Sequence, residues 1–431
     1  MKISPARIAA FEILSKIETE QAFSSELLPI YENDLADNDR SLCHQLTLGV
    51  FRKQLLLDWM IDELVGGKRI DTAVRIALRI GIYQLRFLGK VPDYSAVNES
   101  VNLVQYARKT SAKGLVNAVL RRATRETIVP VFADEIERIS IETSHPRWLI
   151  EKWIGRFGTE DAERLAAANN EIPRTAFRFT QKSDASKRFE HTIVSDRVEG
   201  CFIAESNSPA LHAAAVAGEI YFQDEGSQMV GAAIELSKAG HFLDLCAAPG
   251  SKFTQIAGRT NRESNFLVAG DLHSHRLRFL RENCLNQGLD NVNILQYDAE
   301  SALPFADETF DTILIDAPCS GTGTIRHNPE IRYSLEATVF AQLAQKQLRL
   351  IQNASKLLKP GGNLIYSTCS LESEENELVS NRFLANEPLF RMAKPTVPDR
   401  FIDDDGFART LPHRDNMDGF FISSFEKIKP T

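Results

Sequence analysis

Between residues 242 and 367, five short and mostly apolar runs, Phe242–Leu245, Phe266–Gly270, Val292–Gln296, Thr312–Ile315 and Asn363–Ser367, alternate with stretches of helical apolar spacing at 252–258, 273–287 and 335–358. Strand-like runs without polar alternation are buried on both faces, so this order predicts an α/β domain: a parallel sheet with crossover helices on both sides. In such sheets ligands lie beyond the carboxyl ends of the strands. The chemistry of the chain should therefore be sought where these runs end.

The first run opens into Asp244-Leu245-Cys246-Ala247-Ala248-Pro249-Gly250-Ser251-Lys252, after which a helix starts. Small residues let the backbone approach a ligand, and a helix start presents unpaired N–H groups. The turn lacks the G-x-G-x-x-G spacing of dinucleotide-binding sheets, which disfavours a nicotinamide enzyme. The second run ends in Gly270-Asp271, where a carboxylate can accept both ribose hydroxyls. The third ends in Tyr297-Asp298-Ala299, where Asp298 can accept from an adenine amino group. A lone aspartate at a strand end is usually solvated or a helix cap. Three in succession around one Gly-containing turn suit a nucleoside with a cationic amino-acid tail, such as S-adenosylmethionine.

The fourth run continues into Asp316-Ala317-Pro318-Cys319-Ser320-Gly321-Thr322-Gly323-Thr324. The fifth, preceded by the turn Lys359-Pro360-Gly361-Gly362, continues into Thr368-Cys369-Ser370. Both cysteines sit where neighbouring strands open on the ligand side. Cytosine C5 is too poor a nucleophile to take a methyl group from a sulfonium directly. A thiolate that adds at C6 makes the base an enamine, and C5 can then attack. Charge appears on the ring during that addition, giving Asp316, with Lys252, a task. The residues alone leave open whether Cys319 or Cys369 attacks. Cys43, Cys201 and Cys284 read as buried and inert, and Cys246 as lining the cofactor turn.

The rest of the 431-residue chain reads as two further domains. Residues 1–130 follow a helical pattern: Ser4-Pro5 is a cap with a first-turn proline, Ile8, Phe11, Leu14 and Ile17 form one stripe, a helix from Asp37 runs through Leu55, and others cover 72–88, 95–109 and 113–124. Five or so helices are expected there. Residues 144–225 read as a small α/β domain with weak signals, and 226–431 as the strand–helix domain.

The net charge of -8 disfavours a protein that grips nucleic acid over its whole surface. Residues 1–130, however, hold 18 Lys+Arg against 15 Asp+Glu. Any basic patch should lie there, around Arg52-Lys53, Arg75, Arg79, Arg86 and the cluster Arg108, Lys109, Lys113, Arg121 and Arg122. The six cysteines form no C-x-x-C pair, and no metal site is expected from the nine histidines. Of these, His327 is read as an RNA contact. No apolar run of eighteen residues occurs, so a cytoplasmic protein without membrane contact is expected; a monomer is expected as well.

The motifs Asp244–Lys252, Asp316–Gly323, Ser367-Thr368-Cys369-Ser370 and Leu411-Pro412 with Asp418-Gly419-Phe420-Phe421 resemble those of the NOL1/NOP2/Sun family of RNA cytosine-C5 methyltransferases. The resemblance extends to Ser4-Pro5-Ala6-Arg7, Asp39-Arg40, Arg79–Leu85, Val97-Asn98-Glu99 and Val116–Arg121, and so spans nearly the whole chain. It implies a NusB-like helical RNA-binding domain, a small middle domain and a Rossmann-type methyltransferase domain. It implies S-adenosylmethionine held by residues 246–252 (Cys246, Ala247, Ala248, Pro249, Gly250, Ser251 and Lys252), Asp271, Asp298 and Asp316. It also makes Cys369 the nucleophile and Cys319 the residue that assists release, with Asp316 and Lys252 near the base.

The implied substrate is small-subunit (16S) ribosomal RNA, conventionally at cytosine 967, and no DNA partner is expected. A transfer RNA cytosine, or a catalytically vestigial RNA-binding assembly factor, are the competing readings. The chain departs from the family pattern at Ser251 and Phe253, at Arg326–Tyr333, and at Arg178-Phe179-Thr180, which loosens any inference about RNA contacts of the middle domain.

Overall fold

The computed structural model describes residues 3–20, 22–183, 188–206 and 208–429. By internal contacts the chain divides into two compact units, Met1–Glu171 with Ile325–Ala337, and Ile172–Thr324 with Thr338–Thr431.

The first unit is helical. Helices Pro5–Glu20, Ser24–Glu32, Asp37–Arg52, Gln54–Val65, Thr72–Phe87, Asp93–Tyr106 and Lys113–Arg125 enclose a core that includes Ile13, Leu14, Leu46, Val50, Leu57, Ile61, Ile80, Leu103, Val116 and Leu120. The helix expected from Asp37 through Leu55 breaks at Lys53, whose ψ of 14° turns the chain so that Leu57 and Ile61 meet the same core as Leu46 and Val50. Helix Ser24–Glu32 was not expected. It is short and contains Pro29, which removes a backbone donor from its interior. Helices Glu135–Thr143, Arg147–Phe157 and Thr159–Ala168 also belong to this unit, with Ile139, Leu149, Ile150, Trp153 and Leu165 fully buried. The sequence pattern assigned the last two to the middle domain. Their apolar faces instead complete the helical unit.

Two of the arginines read as a basic patch serve the interior. Arg79, 4% exposed, donates to both oxygens of Asp58 at 2.8 and 2.7 Å and to Glu18 at 2.7 Å. Arg75 reaches Asp58 at 3.3 Å and Asp62 at 2.8 Å. Lys109 pairs with Asp71 and Arg122 with Glu126, while Arg86, Arg108 and Arg121 are exposed.

The segment Ile325–Ala337 lies in this unit although its neighbours on both sides in sequence belong to the other. Glu330 accepts from the Ser24 N–H and hydroxyl at 2.8 and 2.7 Å. The Tyr333 hydroxyl donates towards the Phe51 carbonyl at 2.6 Å and lies 2.9 Å from that of Ser144. Arg332, fully buried, donates to the carbonyls of Thr143 and Asn169 and to Asn170 Oδ1. Thr143 and Asn169 stand at the carboxyl ends of helices Glu135–Thr143 and Thr159–Ala168. Helix carboxyl ends carry partial negative charge and unpaired carbonyls, so a cation placed between two of them is held without an acidic partner. Burial pushes the Arg332 guanidinium down to about 10, and it remains charged at neutral pH.

The second unit holds two sheets. The smaller, of order β2-β3-β1-β4, comprises β1 (Thr175–Phe179), β2 (Thr192–Val194), β3 (Cys201–Ala204) and β4 (Ile220–Phe222), all antiparallel. Phe177 is fully buried there among Phe179, Phe189 and Phe202.

The larger sheet contains β5 (His241–Asp244), β6 (Phe266–Asp271), β7 (Asn293–Gln296), β8 (Phe310–Asp316) and β9 (Leu358–Thr368), paired parallel in the order β9-β8-β5-β6-β7. Leu243, Ile313 and Leu364 are fully buried in its centre, each stabilising the fold by roughly 1.5–3 kcal/mol. The all-parallel expectation needs one correction. Beyond β9 come β10 (Phe390–Ala393), β11 (Ala408–Arg409) and β12 (Phe421–Lys427), with β12 antiparallel to β9 and both others antiparallel to β12. The sheet is therefore mixed, and β12 covers what would be a bare edge of β9.

The chain runs outward from β5 to β7 and then returns to β8 on the other side of β5. This reversal opens a crevice above the carboxyl ends of β5 and β8.

Replacing Arg332 by Ala should lower the unfolding free energy by roughly 3 kcal/mol, because buried carbonyls lose their donor, with a smaller loss for Arg332→Lys; urea unfolding of the full chain measures both. His145 is fully buried, and burial followed by the charge of Arg332 lowers its pKa well below 6.5. Its neutral form is thus required in the folded state. Stability tied to it is present above pH 6.5 and falls as pH drops below that value, by up to about 1.4 kcal/mol per unit. The difference between the pH–stability curves of the parent and His145→Gln should show that slope, and superimposable curves would refute it.

Candidate active site

The site is assembled from loops at the carboxyl ends of β5, β6, β7, β8 and β9, all in the second unit. Gly250 adopts φ 106°, and a Cβ there would lie 2.5 Å from Leu280 Cδ1. Only glycine therefore closes the turn Cys246–Gly250 and starts helix Ser251–Gly258 with its amides directed outward. Arg178 secures this helix start by donating to the Ser251 carbonyl at 3.2 Å and Thr254 Oγ1 at 2.8 Å. It is 6% exposed, and burial pushes it down to about 10. Its work is internal support of the turn, a role the sequence pattern did not reveal.

Asp271 is 5% exposed; it accepts from the Ala248 N–H at 3.3 Å and the His273 N–H at 3.0 Å, which places its carboxylate beside the first turn. Asp298 is exposed two residues beyond β7 and accepts from the Glu300 N–H at 2.9 Å. Among the described residues Asp244, 1% exposed, meets no donor in good hydrogen-bond geometry on either carboxylate oxygen, the Cys246 N–H lying near it. Burial, with the nearby charge of Asp316, raises its pKa well above the ordinary carboxylate range. A buried acceptor pair short of well-placed donors is costly unless a ligand supplies them. A cationic group with several N–H donors, such as the amino-acid end of S-adenosylmethionine, fits that need.

Parallel pairing sets Asp316 of β8 opposite Ser367 of β9, so Cys319 and Cys369 leave the sheet at the same level. Their sulfurs are 3.2 Å apart, and the Cys369 N–H donates to Cys319 Sγ at 3.3 Å. The Cys319 thiol is pushed well above its ordinary pKa by the hydrogen bond with Cys369, by burial, and by the charges of Cys369, Glu375 and Asp316. Two sulfurs in this geometry can act on one substrate ring in turn, one as nucleophile and the other as its assistant. The remaining cysteines differ: burial raises the pKa of Cys246 and Cys201, and pushes Cys43 and Cys284 up to about 12.

Lys252 Nζ donates to Asp316 Oδ2 at 2.7 Å, and Ser367 Oγ donates to Asp316 Oδ1 at 2.9 Å. Burial alone would strip the charge from Lys252, but attraction to Asp316 outweighs it and holds the ammonium above its ordinary pKa. The Phe420 ring lies 5.1 Å from Nζ. It is placed by the last sequence motif, in which Gly419 donates its N–H to the Gly323 carbonyl at 2.8 Å and Gly323 donates to the Cys369 carbonyl at 2.9 Å. A Cβ on Gly323 would fall 2.0 Å from Gly419 O, so this three-loop contact requires glycine.

Sequence reasoning missed the acidic run after Cys369. Glu372 and Glu375 are fully buried, although the run Glu372-Ser373-Glu374-Glu375-Asn376 is strongly acidic. Asn376 accepts from Thr368 Oγ1 and donates to the Ser370 carbonyl, bridging the residues on either side of Cys369.

Comparison with known proteins agrees with this architecture. The profile described as 16S rRNA methyltransferase RsmB/F matches residues 232–426, and that of the NusB family residues 4–125. The probable ribosomal RNA small subunit methyltransferase B of Bacillus subtilis strain 168 is 33% identical, with 99% of this chain and 100% of that protein covered. Ribosomal RNA small subunit methyltransferase B of Pseudomonas putida is 31% identical, with 98% of each covered. Among solved structures, that of PH0851 superposes with a TM-score of 0.83 at 26% identity over 99% of this chain and 100% of that one. NSun6 from Pyrococcus horikoshii with SFG shares the fold at a TM-score of 0.55 and 22% identity, covering 66% and 99%. With full-length relatives above 30% identity, an N-terminal region of NusB type and a methyltransferase sheet, the chain belongs to the 16S rRNA methyltransferase RsmB/F family, whose methyl donor is S-adenosylmethionine.

Proposed function

We propose that the protein methylates C5 of a cytosine in small-subunit ribosomal RNA, at cytosine 967, through a covalent bond between Cys369 and C6 of the base. The observation that carries this reading is the sulfur pair, 3.2 Å apart, beside the Lys252–Asp316 ion pair above the β5–β8 crevice. Two thiols and a charged pair at one point are more than a cofactor site needs, and they match the demands of an unreactive ring carbon.

S-adenosylmethionine supplies an electrophilic methyl group on a sulfonium. The backbone of Cys246–Lys252 would follow its length, Asp244 would receive the amino-acid cation, Asp271 the ribose hydroxyls and Asp298 the adenine amine. Cys369 adds as a thiolate to C6, and the electron pair moves towards C5. Lys252, kept protonated by Asp316, offsets the negative charge that gathers on the ring. Cys319 assists the closing elimination: once C5 carries the methyl, its proton passes to a base at the site, the C5–H electron pair restores the C5–C6 double bond, and the bond between Cys369 and C6 breaks to return the thiolate. The base must leave its helix to meet both sulfurs, so an accessible RNA loop suits the site.

Cys369→Ala should reduce methyl incorporation into RNA to background, and Cys319→Ala should accumulate a protein–RNA adduct stable in a denaturing gel. Full turnover by Cys369→Ala would overturn the covalent mechanism. Bisulfite mapping of RNA from cells with and without the gene should show loss at the 16S site, whereas loss only at a transfer RNA cytosine would refute the ribosomal substrate.

Asp244→Asn should weaken S-adenosylmethionine binding by about tenfold or more, roughly 1.4 kcal/mol, measured by calorimetry. In the unliganded protein the same change should raise the urea midpoint, since it removes a poorly paired buried carboxyl group.

A further inference from the structure

Glu375 lies outside every group assigned to the reaction so far, yet it joins both cysteine loops. Its side chain is fully buried. On Oε1 it accepts from the Ser320 N–H at 2.9 Å and from Gln347 Nε2 at 3.0 Å. On Oε2 it accepts from the hydroxyls of Ser320 and Ser370, the latter at 2.6 Å. Ser320 follows Cys319 and Ser370 follows Cys369 directly in sequence. Gln347 also donates to the carbonyl of Pro318, the residue before Cys319. One carboxylate thus holds the residue after each reactive sulfur, with its amide partner holding the residue before one of them.

We propose that Glu375 is a positioning residue that clasps the two cysteine loops and sets the separation of their sulfurs, and so the rate of the chemical step. The proposal extends the two-cysteine reading above to a residue that never touches the base or the cofactor. Parallel strands fix only where the loops begin. Beyond Asp316 and Ser367 the ladder continues in one backbone bond, Ala317 N–H to the Ser367 carbonyl at 2.8 Å. Past it the loops meet through scattered contacts, among them Gly323 N–H to the Cys369 carbonyl and Ser320 Oγ with Ser370 Oγ at 3.1 Å. A loose pair of loops would let the sulfurs drift by more than the near-attack geometry tolerates. Four donors on one buried carboxylate add a restraint that reaches the residue after each sulfur at once. The charge bears on function as well: it is one of the causes that raise the Cys319 pKa, favouring the proton on that sulfur.

Substitutions separate the clasp from its charge. In Glu375→Gln the two serine hydroxyls can turn to accept from the new amide, so the bridge persists without the charge. Glu375→Ala removes the bridge. Glu375→Asp retracts the carboxylate by one methylene, about 1.5 Å, too far to reach both loops.

The experiment reads the sulfur separation directly. Diamide takes two electrons and two protons from the thiols of Cys319 and Cys369 as a disulfide forms, and the linked peptides are quantified by mass spectrometry, with dithiothreitol reversal as control. The parent should cross-link rapidly, Glu375→Gln within threefold of it, and Glu375→Ala and Glu375→Asp at least tenfold more slowly. In methyl-transfer assays the Ala variant should lose about a hundredfold in kcat, with KM for RNA and S-adenosylmethionine affinity changed less than threefold.

If Glu375→Ala does not fold, as judged by its melting curve, the Asp and Gln variants carry the test alone. Parental cross-linking and kcat in Glu375→Asp overturn the proposal. So does loss of cofactor affinity in step with kcat, which marks a general structural role. Cross-linking does not depend on methyl transfer. A parent that cross-links but methylates no cytosine refutes the proposed function and leaves the clasp standing.

Discussion

The pairing of β8 with β9 is the constraint on which the site rests. Because Asp316 stands opposite Ser367 in a parallel ladder, the two loops start from one level, and residues fifty positions apart arrive side by side. A shift of one residue in that register would turn every side chain to the other face of the sheet. It would also separate the aspartate from the lysine that it keeps charged. The fully buried strand centres, Ile313, Leu314, Leu364 and Tyr366, make such a slip prohibitive. Hydrophobic burial in the middle of the sheet is thereby converted into ångström-level placement of sulfur atoms at its end.

The site is electrostatically unequal. Lys252 and Asp316 satisfy each other, whereas Asp244 is buried short of well-placed donors and Asp271 is met by backbone amides. Ligand binding can relieve the first of these carboxylates, so part of the affinity comes from removing a cost present in the empty protein. The helical unit solves a related problem differently: there the buried cation Arg332 donates mainly to carbonyl oxygens, with His145 Nδ1 also at 3.3 Å, and the partial charges of two helix ends help to balance it.

Much of this was legible in the sequence, for reasons that can be named. Four of the parallel strands, β5, β6, β8 and β9, announced themselves because strands buried on both faces lack alternation, whereas β7 is a largely exposed edge that the same reading took for a buried strand. Strands β10 to β12 were not legible, since a run such as Phe421–Lys427 mixes serine, phenylalanine and charge and resembles any edge strand. Arg79 was misjudged in kind and Arg332 was given no role: a sequence shows that an arginine is present, but whether it faces water or buried acceptors is decided by residues far along the chain. Glu375 was hidden for the opposite reason. Acidic runs are nearly always solvated, and only the two serine hydroxyls and one backbone amide converging on it reverse that expectation.

The membership of Ile325–Ala337 in the helical unit bears on the order in which the protein matures during synthesis. The ten α-helices described between Pro5 and Ala168 leave the ribosome early, with their low-contact-order hairpins free to form at once. The guanidinium that closes two of their ends and the phenol that bonds Phe51 and Ser144 arrive only after β8 has been translated. The nascent helical region therefore waits, incompletely locked, until the first reactive loop has emerged, and a chain truncated before residue 325 lacks the final piece of its own amino-terminal half.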